Sequence, residues 1–145
     1  MDYIINNKTN YLLFDGKNTI INENGNDLIL INNRIDEILN NSCIFYGSTL
    51  IGRKTAAKRL ISSRYKMPIL INEVNNLLFF SVKNKSEIIW FNFSRVVDFK
   101  KNNEVIKVIF KDNYYKRFNI SWSIFNNQIL KSSRLLYVFN SRNNF

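Results

Sequence analysis

The chain has 145 residues, 46% of them hydrophobic and 14% aromatic, enough to bury a sizeable core and too much for a disordered segment. Lysine and arginine outnumber acids 21 to 11, histidine is absent, and Cys43 is the single cysteine. These counts exclude an intramolecular disulfide, and they remove both the usual general base near neutral pH and the commonest metal ligand.

The first third reads as short strands at 3–5, 11–14, 19–22 and 28–31, divided by the turn pairs Asp15-Gly16 and Asn24-Gly25. Asn33 and Asp36 suit the start of a brief helix whose apolar face is Ile35, Ile38 and Leu39. Residues 43–46 then read as a short apolar strand ended by Gly47. From Leu50 the period becomes helical: Leu50, Ala56, Ala57, Leu60 and Ile61 gather on one side, and Lys54, Lys58, Arg59, Ser62 and Lys66 on the other. Arg53 and Arg64 fall inside the apolar arc, so they either reach the rim or point into a groove against a neighbouring element. Pro68 ends any helix before it.

Residues 69–120 alternate like an antiparallel meander, with strands at 69–71, 77–82, 88–99, 105–110 and 114–120. A tight turn is expected at Asn75-Asn76 and another at Asp112-Asn113. A last helix starts near Ser121 or Ser123, with Trp122, Phe125, Ile129 and Leu136 as its stripe and Lys131 and Arg134 opposite. The expected fold is α+β: mainly antiparallel strands, as a meander or partly open barrel, with two or three helices packed on them. No repeat or Pro/Gly-rich linker divides the chain, so residues 1–145 are expected to form one domain.

The absence of a leader-like start and of any run near the ~20 apolar residues of a membrane span points to a soluble, cytoplasmic protein. Asparagine is about one residue in six, beside abundant Ile, Lys, Phe and Tyr, as A/T-rich codon usage would produce. The acids are scattered, and neither GxxxxGK[ST] nor GxGxxG occurs. Cys43 is expected to be a buried structural thiol. No catalytic residue, metal site or cofactor is expected.

The charge is segregated. Residues 1–37 carry three bases against six acids, whereas 38–72 carry Arg53, Lys54, Lys58, Arg59, Arg64 and Lys66 and no acid. Residues 113–145 hold Lys116, Arg117, Lys131, Arg134 and Arg142, again without an acid. Such blocks create a field that attracts a polyanion, with nucleic acid the leading partner. The first block supplies the main candidate contacts, Arg53, Lys54, Lys58, Arg59, Arg64 and Lys66; Lys116, Arg117, Lys131 and Arg134 are weaker ones. Phe45, Trp90, Trp122 and Phe125 read as core. The rival reading is an RNA- or ribosome-associated basic module without sequence preference.

The run Cys43-Ile44-Phe45-Tyr46-Gly47-Ser48, followed by Gly52-Arg53-Lys54, resembles the ComK competence transcription factor family. The resemblance continues through Lys66, Pro68-Ile69, Asn75, Phe80, Trp90 and Asp98-Phe99 to Ile120-Ser121-Trp122, Phe125 and Asn127-Gln128, across roughly residues 30–140. It implies an activator that recognises paired A/T-rich boxes in double-stranded DNA from the minor groove. It further implies a homodimer that assembles on DNA, associates with the nucleoid and helps RNA polymerase engage competence promoters. Helix N-termini can also hold phosphates, and Gly47-Ser48 with Gly52-Arg53-Lys54 would set one beside the basic face. The chain departs from the family in carrying Phe93 and Arg95 where relatives often have His. Longer members continue into a tail linked to adaptor-driven proteolysis; turnover by that route is not carried over here.

Overall fold

A computed structural model describes residues 3–31, 34–62 and 66–142. The described elements are strands β1 (Thr9–Phe14), β2 (Asn18–Glu23) and β3 (Asn26–Ile31), helices α1 (Ile35–Phe45) and α2 (Leu50–Ile61), strands β4 (Ile69–Asn72), β5 (Leu77–Lys83) and β6 (Ile88–Asn92), a 3-10 turn at Phe93–Arg95, strands β7 (Val96–Asn102), β8 (Val105–Phe110) and β9 (Tyr115–Phe118), and helix α3 (Trp122–Arg142). The fold is the expected α+β arrangement, with open antiparallel sheets. Six strands run β3-β2-β1-β6-β5-β4 and three run β7-β8-β9. The large sheet is thus two three-stranded meanders joined edge to edge through β1 and β6.

Period-two alternation splits the large sheet between two cores. One face presents Leu12, Ile21, Ile69, Phe79 and Trp90 to α1, whose Ile35, Ile38, Leu39 and Cys43 complete the cluster. The other presents Tyr11, Leu13, Phe80, Ile89 and Phe91 to the small sheet and to Phe125 of α3. This second core is aromatic, with Phe91 5.0 Å from Phe118 and 5.1 Å from Phe125 in edge-on contacts. Each such pair adds about 0.5–1.5 kcal/mol beyond its burial. Helix α2 lies along the β4 edge: Leu50 joins the α1 side, while Ala57 and Ile61 meet Leu135 of α3 in a third cluster.

Asparagine has structural work here beyond codon bias. Asn24, Asn76, Asn103 and Asn113 adopt positive φ of 50°, 56°, 57° and 64° at hairpin turns, a conformation in which a short polar side chain is tolerated. Asn10, Asn22 and Asn92 are fully buried and hydrogen-bonded.

Several expectations are corrected. Residues 3–5 form no strand: the Ile5 N–H donates to Ser42 Oγ at 2.9 Å and its carbonyl accepts from the Tyr46 hydroxyl at 2.8 Å, so α1 side chains satisfy that backbone. Residues 43–45 are the last turn of α1, because Ser42 and Cys43 continue the buried stripe of Ile35, Ile38 and Leu39. The expected 88–99 strand breaks after Asn92, whose Oδ1 accepts from Ser94 N at 3.2 Å and Ser94 Oγ at 2.9 Å while its Nδ2 donates to Thr9 O at 2.8 Å. That side chain competes with the ladder and sends the chain from one sheet to the other. α1 is capped by the backbone of Arg34 without a side-chain bond, and Asn33 lies outside the described residues. No described helix is long and apolar enough to cross a membrane.

Candidate nucleic-acid interface

The Cys43–Ser48 run and its sequel build the α1–α2 corner. Gly47, at φ 94°, lets the chain leave α1; the Ser48 N–H then donates to Cys43 O at 2.8 Å and the Gly47 N–H to Ile44 O at 3.0 Å. Thr49 caps α2 by accepting from Gly52 N at 3.0 Å, and a Cβ at Gly52 would crowd that same Oγ1 at 3.0 Å. The Leu50 N–H donates to Asn40 Oδ1 at 3.1 Å. Two of the first free N–H groups of α2, those of Leu50 and Gly52, are therefore satisfied within the corner itself.

Arg53 sits on the side of α2 that faces α3, one turn before Ala57 and two before Ile61. Its Nε donates to Ser48 Oγ at 3.1 Å and its guanidinium lies 5.7 Å from the centroid of Phe139. Of the two positions open to it in sequence, it takes the groove. Cys43 lies behind it, buried; burial pushes the thiol above its ordinary range, against smaller opposing effects from the Arg53 charge and the Ser48 hydrogen bond. Replacing Arg53 by Lys or Ala is expected to cost about 1 kcal/mol and about 2–4 °C in Tm, since neither keeps the planar stack and the Ser48 bond. Its DNA-binding salt slope should stay at the wild-type value. A slope that falls with no change in Tm would instead give Arg53 a direct role at DNA.

Lys54 and Lys58, at i and i+4, leave the other side of α2 and line a cleft of about 240 Å³ with Lys66, Met67, Ser81 and Trp90. Lys66 is not on the helix: α2 ends at Ser62 in a left-handed cap, and Lys66 itself has φ 46°. Its segment is pinned by Gln128 of α3, nearly buried, whose Nε2 donates to Lys66 O at 3.0 Å and Ser81 O at 2.8 Å. One turn further along α3, partial burial first and the Lys66 ammonium second lower the pKa of Lys131. The tertiary fold thus brings Lys131 of the second basic block to Lys66 of the first. Among the described residues no carboxylate pairs with Lys54, Lys58, Arg59 or Lys66. Arg59 and Arg134 are exposed on α2 and α3; Arg64 lies outside the described residues.

Lys116 and Arg117 point to opposite faces of β9, as adjacent strand residues must. Lys116 is half-buried, with Nζ 5.6 Å from the Tyr11 ring and 5.7 Å from that of Phe118. Arg117 is exposed, 5.8 Å from the Tyr115 ring.

Trp90 borders the cleft, and also a second hollow of about 370 Å³ beside Phe14, Ile35 and Arg34. Charge alone gives no signal for Trp90 or Ser81. Two aromatics expected in the core are exposed: Phe45 by 67%, on the outer side of α1, and Trp122 by 41%, at the first residue of α3. The buried stripe of α3 is Phe125, Gln128, Ser132 and Leu135, one position off the expected one beyond Phe125.

The family model described as ComK protein matches residues 1–144. A competence transcription factor of Bacillus subtilis (strain 168) is 26% identical over 109 residues, which cover 73% of this chain and 57% of that relative. The matched region thus spans little more than half the length of that relative. No solved structure matches the chain. With the family model aligned over nearly every residue, the chain belongs to the ComK family.

Proposed function

We propose that this chain is a DNA-binding regulator of competence transcription that sets Lys54, Lys58 and Lys66 against the backbone of A/T-rich duplex DNA, from the minor-groove side. The observation that carries the reading is that these three lysines line one cleft without a carboxylate partner among the described residues. Like charges at i, i+4 cost a helix a few tenths of a kcal/mol, so the arrangement is explained by a ligand better than by stability. At about 240 Å³ the cleft is smaller than the ~300–1,000 Å³ typical of small-molecule sites and suits a sugar-phosphate group.

Lysine is a compact point charge without the planar fork that reads guanine edges in the major groove. A narrow A/T minor groove concentrates negative potential and rewards such charges. Family membership supports the regulatory role, dimeric assembly on paired A/T boxes and contact with RNA polymerase. Arg59, exposed on α2, and Lys131, beside Lys66, serve as secondary contacts, and Arg64 keeps its place in the set from the sequence.

The test is a gel-shift series at physiological salt with paired A/T boxes, scrambled A/T DNA, G/C-rich duplex and structured RNA. Nonspecific binding supplies a Kd of about 10⁻⁴–10⁻⁶ M on any duplex, and the paired boxes should bind more tightly than that. Netropsin should compete, while methylation of major-groove positions should have little effect. Equal curves on A/T and G/C duplex, or tighter binding to structured RNA, would overturn the reading.

A further inference from the structure

The small sheet carries a cationic row that the cleft does not use. Lys100 of β7 lies opposite Lys107 of β8, and Lys107 lies opposite Arg117 of β9. The three side chains share the outer face, because the residues that alternate with them, Phe99, Val108 and Phe118, pack into the aromatic core. Lys100 and Arg117 are exposed and Lys107 is half-buried. Like charges directly opposite one another destabilise a sheet, and natural sheets usually interleave signs. A single ring lies beside the row: Tyr115, half exposed and opposite Ile109 in the neighbouring row, has Lys107 Nζ at 4.2 Å and the Arg117 guanidinium at 5.8 Å from its centroid. Asp98 occupies the next row and accepts the Phe99 N–H at 2.8 Å, so the face keeps a net positive charge. None of Lys100, Lys107 and Arg117 forms an ion pair with a described carboxylate.

The position of this row gives it meaning. The small sheet covers the face of the large sheet that carries Phe80, Ile89 and Phe91, whereas Trp90, at the edge of the lysine cleft, belongs to the opposite face. The row shares no residue with the lining of the cleft. We propose that the outer face of the small sheet, through Lys100, Lys107 and Arg117, holds the phosphate backbone of a second duplex segment, so that one chain joins two segments of DNA. Charge complementarity selects the occupant: three cations in line across the ribbon match a phosphate backbone, and the neutral Tyr115 ring beside Lys107 and Arg117 leaves their charge in place. The inference rests on the reading that the chain binds duplex DNA at the lysine cleft.

The test uses a biotinylated paired-box duplex on beads, loaded with the full chain, and a fluorescent duplex supplied afterwards. Wild type should retain the second duplex. The variant K100Q/K107Q/R117Q should load onto the beads normally and lose capture by about tenfold or more, with the salt dependence of capture shallower by about 2.7 in log–log slope. Its Tm should match or exceed that of wild type, since a repulsive row has been removed. K100Q alone, which disturbs no ring contact, should lose a smaller part of the capture and guards against misfolding of the triple variant. Normal capture by the triple variant overturns the inference, as does wild type that loads but retains no second duplex. Wild type that fails to load overturns the DNA reading itself, and this inference with it.

Discussion

Replacing Lys54, Lys58 and Lys66 together by glutamine should weaken binding to paired A/T boxes by about a hundredfold at physiological salt and lower the log–log salt slope by about 2.7. Each of the three lines the cleft, and each lost phosphate contact removes about 0.9 from the slope. The fold should be untouched. Lys54 and Lys58 are exposed and repel each other along α2, so Tm should stay level or rise slightly. Glutamine at Lys66 inherits the same left-handed backbone and the same carbonyl bond to Gln128, so that segment keeps its place. Replacing exposed Arg134 is the control, with an expected loss of less than threefold, on the order of one screened surface charge. If the triple variant binds normally while the Arg134 variant does not, the interface lies on α3 instead of in the cleft.

That comparison rests on a site that the sequence discloses only in part. The helical projection from Leu50 separates Lys54 and Lys58 from Ala57 and Ile61, because side-chain direction on a helix follows from spacing alone. It also marks Arg53 as irregular, and the structure turns that irregularity into a packed guanidinium beneath Phe139. Lys66 is harder to place. A helix extended to Lys66 would carry it along the same face, but the chain leaves α2 at Ser62 and returns to the cleft through a left-handed residue. Nothing local announces that Gln128, some sixty residues later, holds it there. The meeting of Lys131 with Lys66 has the same tertiary origin.

The fold divides in the same way. Hairpins are legible where Asn or Gly supplies a positive φ, as at Asn24-Gly25, Asn76 and Asn113. Contiguous apolar runs are ambiguous between periods, so residues 43–46 resemble a strand until the helical stripe of Ile38, Leu39, Ser42 and Cys43 is followed through them. The alternation of Ile89, Phe91 and Phe93 suggests one long strand; what ends it is the buried amide of Asn92, a polar residue on the opposite parity.

Replacing Arg95 by methionine should cost about 3 kcal/mol and lower Tm by about 6–12 °C, the larger structural effect of the two. Arg95 joins the two sheets. Its Nε donates to Asn10 Oδ1 at 3.0 Å, Nη2 donates to Asn24 Oδ1 at 2.9 Å, and Nη2 lies 3.5 Å from Asp112 Oδ2. Asn10 is the bulge residue of β1, fully buried, and its Nδ2 reaches both Asn22 Oδ1 at 3.0 Å and Asp112 Oδ2 at 3.2 Å. Methionine would fill much of the volume but strip the donors from two amide oxygens and leave the Asp112 carboxylate, only 15% exposed, without its cation. Adding Asp112→Asn should then recover about 1 kcal/mol or more, because an amide tolerates that site better than an unpaired carboxylate. In the wild-type background the same Asp112→Asn change should destabilise, and this reversal of sign is the signature of a structural ion pair. DNA affinity per folded molecule should be unchanged in all three variants. Were Arg95→Met to leave Tm intact and lower the salt slope by about one, Arg95 would be a DNA contact and the network around Asn10 would hold without it.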